Sequence, residues 1–268
     1  MGLAVAGAAM LAASGSARAQ NWTGLYLGAN AGAGITDSHV SNTVCTGPVT
    51  ACFWASGFGD RVNAVGSGDL RDTVFTGGGQ IGYNWQTSVW VLGVEADFNS
   101  LRTSVTRTAS TTYSAAGSSG ITFTDTISAS YLATARGRLG YAMGNLLVYF
   151  TGGAAFANLK HSHFAGEFGF GPRPPCVPPV LGENMCDHGG SSSTRTGWTL
   201  GGGGEWMLGG NWSIKGEYLY VDFGKVSGTT TWFSSDGTVS TVGGVPQSIA
   251  HSADFALHVV RAGVNYKF

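Results

Sequence analysis

Between residues 196 and 224 the chain alternates with period two. Trp198, Leu200, Gly202, Gly204 and Trp206 share one parity, and Thr199, Gly201, Gly203 and Glu205 the other. After Met207-Leu208-Gly209-Gly210-Asn211 the alternation resumes, with Trp212, Ile214, Gly216, Tyr218 and Tyr220 set against Ser213, Lys215 and Glu217. Such alternation predicts strands, and the short Gly-Gly connection predicts a hairpin. A ring stands on each side of the turn, at Trp206 and Trp212. A second pair, Trp198 and Tyr220, lies eight residues away on the same faces. Aromatic, apolar, aromatic on one face with charge on the other predicts strands that cross a membrane inside a closed barrel.

The same reading extends along the chain. Strands are predicted at about 22–34, 74–85, 90–100, 130–141, 146–159, 195–206, 212–224 and 255–268. Three connections are short (86–89, 142–145 and 207–211) and four are long (35–73, 101–129, 160–194 and 225–254). Each strand from the second onward carries a pair of same-parity residues eight or ten apart: Phe75 and Trp85, Trp90 and Phe98, Tyr131 and Tyr141, Leu146 and Phe156, Trp198 and Trp206, Trp212 and Tyr220, His258 and Phe268. At about 3.3 Å per residue and a tilt of about 40°, these pairs span roughly 20–25 Å, the height of a bilayer's apolar band. The expected girdle is Trp85, Trp90, Tyr141, Trp198, Trp206, Trp212, Tyr220 and Phe268. The first strand fits less well, with Leu25, Leu27, Ala29 and Ala31 on its apolar parity and Tyr26 on the other. The fold class is therefore all-β, an eight-stranded antiparallel up-and-down transmembrane barrel occupying residues 20–268.

The opposite parity is expected inside. It holds Asn30, Gln80, Asn84, Thr134, Tyr149, Thr151 and Asn265. Its acids are Glu95, Asp97, Glu205 and Glu217, and its bases are Arg136, Arg138, Lys215, Arg261 and Lys267. Near-balance of charge suits a self-paired interior, since an unpaired buried charge is costly. Glu95 and Asp97 on the third strand and Arg136 and Arg138 on the fourth predict an acid–base ladder. A charged constriction that passes ions is the alternative, but eight strands enclose little more than their own side chains.

Composition sharpens these expectations. The chain has 268 residues, 44 of them Gly, with 11 % charged residues and a net charge of −1, so nothing argues for nucleic acid. No apolar run reaches the 18 residues of a spanning helix outside the N-terminus. Residues 1–19 read as a signal peptide, with Ala17-Arg18-Ala19 as an A-x-A cleavage site before Gln20. No Lys or Arg precedes Arg18, which suggests that the true signal peptide begins further upstream. Export favours two local disulfides, Cys45 with Cys52 and Cys176 with Cys186, though four Cys allow three pairings. Zinc is the competitor, but neither pair has C-x-x-C spacing. Gly77 to Gly82 matches G-x-G-x-x-G, yet a strand and turn follow it rather than the helix that a dinucleotide site needs.

Several stretches resemble the small outer-membrane β-barrel proteins of Gram-negative bacteria, the OmpA-like membrane domain and related immunogenic surface antigens. They are Trp22 to Gly28 (WTGLYLG), Leu92 to Phe98 (LGVEADF), Tyr131 to Gly140 (YLATARGRLG), Tyr149 to Gly153, the 196–224 hairpin and Val260 to Phe268. The resemblance implies an outer-membrane location, lipid as the main partner, short turns facing the periplasm and a monomer. It also implies a C-terminal strand ending in Phe268 that the insertion machinery reads. It transfers no catalytic residue, and no enzyme, cofactor or metal is expected. Five of six His fall in or beside the long connections, as exposed polar residues. Because some relatives in this group bind haem, His161, His163 and His188 become candidate haem ligands. The expected function is structural, envelope integrity and loop display, with a narrow pore or host-ligand capture as alternatives.

Overall fold

Alternation sustained over some twenty residues per segment produces strands that outrun a bilayer. The computed structural model describes residues 21–44, 58–112, 119–168, 186–231, 238–239, 241–242 and 244–268. Its strands are β1 (Gly24–Val44), β2 (Gly68–Thr87), β3 (Trp90–Thr112), β4 (Gly120–Met143), β5 (Leu146–Phe168), β6 (Cys186–Gly209), β7 (Trp212–Thr231), β8 (Thr241–Val242), β9 (Val245–Pro246) and β10 (Ser248–Lys267), with one helix, α1 (Phe58–Gly66). β8 and β9 pair only with each other. The other eight strands close in the order β1-β10-β7-β6-β5-β4-β3-β2. β1 and β10 seal the ring in unbroken antiparallel register from Tyr26↔Lys267 to Val44↔Ile249. The signal-peptide segment lies outside the described residues, as do Cys45, Cys52 and Cys176. Cys186 opens β6.

The short turns lie where expected, and the long connections do not. Residues 35–44, 68–73, 101–112, 120–129, 160–168, 186–194, 225–231 and 248–254, expected as loops, are strand. The barrel strands run to 20–24 residues, against the 11–14 expected. The physical reason is a change of solvent. Above the aromatic level the outer wall meets water, so its outward side chains become Ser and Thr while the backbone pairing continues. Thr106 faces Thr126, Thr108 faces Thr124 and Ser110 faces Thr122, with hydroxyl oxygens 2.9, 3.2 and 2.8 Å apart.

The inward parity inverts as well. At membrane height it is polar. Above that height lies an apolar core of Leu70, Leu101, Leu132, Leu159, Leu219, Phe223, Phe255 and Leu257. The expectation of a polar interior throughout is therefore corrected: polar filling belongs to the membrane half, and the upper half packs as a soluble protein does. Register shifts mark the change of medium, at Ser100/Thr103, Ala129/Leu132 and Asp254/Ala256. At the third, Gly224 adopts φ +68° and its N–H donates to Asp222 at 2.6 Å, a geometry suited to Gly in a bulge.

α1 covers the upper mouth. Val62 is fully buried, the carbonyl of Gly66 accepts from Asn42 at 2.8 Å, and Asn63 accepts from the Val44 N–H at 2.8 Å. The helix has no basic residue in its last turn. Arg107 of β3 supplies one, donating to the carbonyls of Val65 and Ser67 at 2.9 and 2.7 Å and complementing the negative helix end.

Candidate functional site

The densest chemistry lies in the membrane half of the lumen. β3 and β4 pair with Glu95 opposite Arg136 and Gly93 opposite Arg138, which places acid and base on adjacent inward positions. β6 and β7 pair with Glu205 opposite Lys215, and β7 and β10 with Glu217 opposite Arg261. All eight side chains, four acids and four bases, are at most 4 % exposed. Arg136 bonds Glu95 and lies 2.9 Å from Asp97, the two neighbours expected for it. It also reaches across the lumen to within 3.1 Å of Glu217. Arg138 passes its β3 neighbours, standing 3.9 Å from Glu95, and bonds Glu205 on β6, two strands round the ring, at 3.0 Å. Lys215 sits 2.9 Å from Glu95, and Arg261 lies 2.9 Å from Asp97 and 2.6 Å from Glu217.

Neutral groups complete the belt. Tyr26 donates to Glu95 at 2.7 Å and accepts from Arg138 at 3.1 Å. Tyr149 donates to Glu217 at 2.9 Å and places its ring beneath the Arg138 guanidinium, 3.8 Å from ring centroid to carbon. Ser213 and Asn265 donate to Glu205 at 2.6 and 2.7 Å, and Thr134 and Asn99 to Asp97 at 2.7 and 2.6 Å. Glycines make this density possible. A Cβ on Gly82 would fall 2.3 Å from the Tyr26 ring, and one on Gly28 would fall 2.0 Å from Asn265.

A cork closes the periplasmic end. Trp22, Val91, Ala142, Leu147, Tyr149 and Met207 cluster there, and Gln86 accepts from the Trp22 backbone N–H at 2.7 Å. The space between cork and charged belt is about 10 Å³. That volume holds at most about one water.

Adjacent-strand reasoning paired Glu95 and Asp97 with Arg136 and Arg138 but left Tyr26, Tyr149, Glu205, Lys215, Glu217 and Arg261 unassigned to partners. The usable signal was the strand count. A ring this small brings every inward charge within reach of the opposite wall.

The histidines are a second correction. His161 and His163, read as exposed loop residues, sit on the inward face of β5 at 8 % and 1 % exposure. Their rings lie 3.3 and 2.9 Å from Asp125. His251 of β10 stacks on His163, centroids 5.2 Å apart. The connection had become strand, so its parity carried both rings inside. An interior His163 pressed between Asp125 and His251 offers no open imidazole face to a surface-bound haem. His188 pairs with Phe164 through its backbone. Burial would raise the Asp125 carboxyl, but hydrogen bonds from His161, His163 and Asn42 outweigh it and hold it below its ordinary value.

The expected girdle residues point outward. Trp85, Trp90, Tyr141, Trp198, Trp206, Trp212 and Phe268 are 43–65 % exposed. Tyr220 is partly covered, with Trp198 5.4 Å on one side and His258 5.2 Å on the other. Trp90 meets Tyr141 edge-on at 5.5 Å, and Phe98 stacks on Tyr131 at 5.3 Å.

An eight-stranded closed barrel with an apolar, ring-bounded outer wall and an ion-paired lumen defines a transmembrane barrel of the outer-membrane class. Residues 3–268 match the family model described as outer membrane protein beta-barrel domain, and the chain belongs to that family. It is similar to the 31 kDa outer-membrane immunogenic proteins of Brucella melitensis biotype 1 and Brucella suis biovar 1. With each it shares 34 % identity over 251 residues, 92 % of this chain and 84 % of theirs. Similar solved structures include Neisserial surface protein A, with 12 % identity, a TM-score of 0.35 and coverage of 92 % of this chain and 98 % of that one. OprG from Pseudomonas aeruginosa matches at 10 % identity and a TM-score of 0.38, over 92 % and 97 % of the two chains. The protein is an outer-membrane protein.

Proposed function

We propose that this protein is a non-conducting structural barrel that contributes to envelope integrity and holds its long connections above the outer leaflet. The observation that carries this reading is the belt of four acids and four bases, each tied to an opposite charge on another strand, above a cork built around Trp22. Permanent conduction would require a water-filled path, whereas the belt side chains are almost fully buried and the space beneath them is about 10 Å³. The reading assigns no catalysis, because each belt carboxylate is already engaged by cations and hydrogen-bond donors. The Brucella relatives are named immunogenic, which supports display of the upper connections to the exterior. Purified protein in planar bilayers tests the proposal. The expected trace is flat between rare transients, and a steady unitary conductance in every insertion would overturn it.

A further inference from the structure

The outward charges above the aromatic level are mostly paired. Arg71 lies 3.1 Å from Asp37, His39 lies 2.8 Å from Asp69, and Lys225 lies 4.0 Å from Asp254. Arg102 of β3 and Lys160 of β5 differ. Both are exposed, and neither has an ion pair among the described residues. Among the described outward positions of β3, β4 and β5 above that level there is no carboxylate, only Ser, Thr, Asn and these two cations beside Phe164.

The strands bring the two cations together. Ser104 pairs with Ser128 and Ser128 with Lys160, one outward row across three strands. The register shifts at Ser100/Thr103 and Ala129/Leu132 fall on either side of β4 just below that row. A bulge bends its strand away from the partner. A surface pocket of about 390 Å³ opens there, lined by Arg102, Ser104, Ser128, Ser130, Asn158 and Lys160. Arg102 follows Phe98 by four residues and Lys160 follows Phe156 by four. Both therefore stand roughly 10 Å above the upper aromatic ring, outside the hydrocarbon core and on its headgroup side.

We propose that this pocket binds a phosphate of an outer-leaflet lipid headgroup. Arg102 and Lys160 clamp the phosphate oxygens from two sides, and the hydroxyls of Ser104, Ser128 and Ser130 and the Asn158 amide donate to those left over. The acyl chains descend past the stacked Phe98 and Tyr131 rings. The site depends on the outer-membrane location and not on whether the lumen conducts.

Folded protein in neutral-detergent micelles is titrated with lipid A bearing its phosphates, with the same lipid after dephosphorylation, and with inorganic phosphate. Wild type binds the phosphorylated lipid, and Arg102→Gln/Lys160→Gln weakens binding by roughly tenfold or more, the loss expected for charge-assisted hydrogen bonds. The dephosphorylated lipid binds the wild type as weakly as the phosphorylated lipid binds that variant. Arg71→Gln and Lys225→Gln stay within about twofold of wild type, since their charges are held elsewhere. Gel mobility before and after boiling checks that each variant is folded, and Lys160→Gln alone is the second variant, with a smaller loss in the same direction. Equal affinity in wild type and double variant overturns the site, as does equal loss in the two control variants. Displacement of the lipid by inorganic phosphate near the lipid's own dissociation constant overturns the lipid as the source.

Discussion

Arg138 shows how single side chains hold this lumen. Its guanidinium spans β5 to bond Glu205 on β6, accepts the Tyr149 ring against one face and donates to Tyr26. A buried ion pair adds little over a well-packed apolar pair, but removing one partner strands the other charge. Arg138→Ala should therefore destabilise the barrel by about 3–5 kcal/mol, read from denaturant unfolding in detergent. Pairing Arg138→Met with Glu205→Gln should recover much of that loss, because no charge is then stranded. Unchanged unfolding in Arg138→Ala would show that the contact carries no stability. His251 behaves differently, because it is the cluster's half-buried member. Burial, then His163 and His161, push its imidazole down to about 4 against the pull of Asp125. Between the ordinary value of 6.5 and about 4, the unfolded chain binds a proton that the folded chain refuses. Stability contributed here falls as pH drops through that window and levels off below it. Proton and carbon shifts of the His251 ring should titrate near pH 4 and move upward in His161→Gln/His163→Gln. A ring titrating near 6.5 in the wild type would mean that the cluster is open to water.

At the scale of strands and helix, what the sequence made legible depended on which solvent each face meets. Within the bilayer, Trp and Tyr outside and Glu, Arg and Asn inside give both parities a strong contrast. The eight strands and three short turns could be read there. Above the girdle the contrast collapses. Outward positions such as Thr106, Thr108 and Ser110 look like loop residues, because Ser and Thr suit turns as well as solvated strands. Inward positions such as Leu101 and Leu257 are sparse and are interrupted by bulges that shift the register. The helix Phe58–Gly66 is short, and its polar ends are met by Asn42, Val44 and Arg107 from other elements. Those partners are far apart in sequence, so no local pattern announces them. The Arg136 contacts with Glu95 and Asp97 are neighbours in the sheet and could be read from strand order. The Arg136–Glu217 and Lys215–Glu95 contacts cross the lumen and depend on barrel diameter, which enters only once the ring is closed.

For the whole molecule, four layers stack along the barrel axis: the Trp22 cork, the charged belt, the apolar upper core, and the His–Asp cluster beneath α1. They resist ions for different reasons. The cork excludes water by packing, the belt by neutralising its own charges, and the upper core by offering nothing that hydrates an ion. Barriers in series do not substitute for one another, so opening one leaves the others standing. Trp22→Ala removes the largest side chain of the cork, yet Ser213 and Asn265 still donate to Glu205 directly above it. The variant should insert, keep its heat-dependent gel mobility and stay electrically silent in planar bilayers. If Trp22→Ala conducts steadily where the wild type does not, the cork alone was the barrier. The charged belt would then have to be loose enough to pass ions, and the directly bonded lumen described above could not be its resting arrangement.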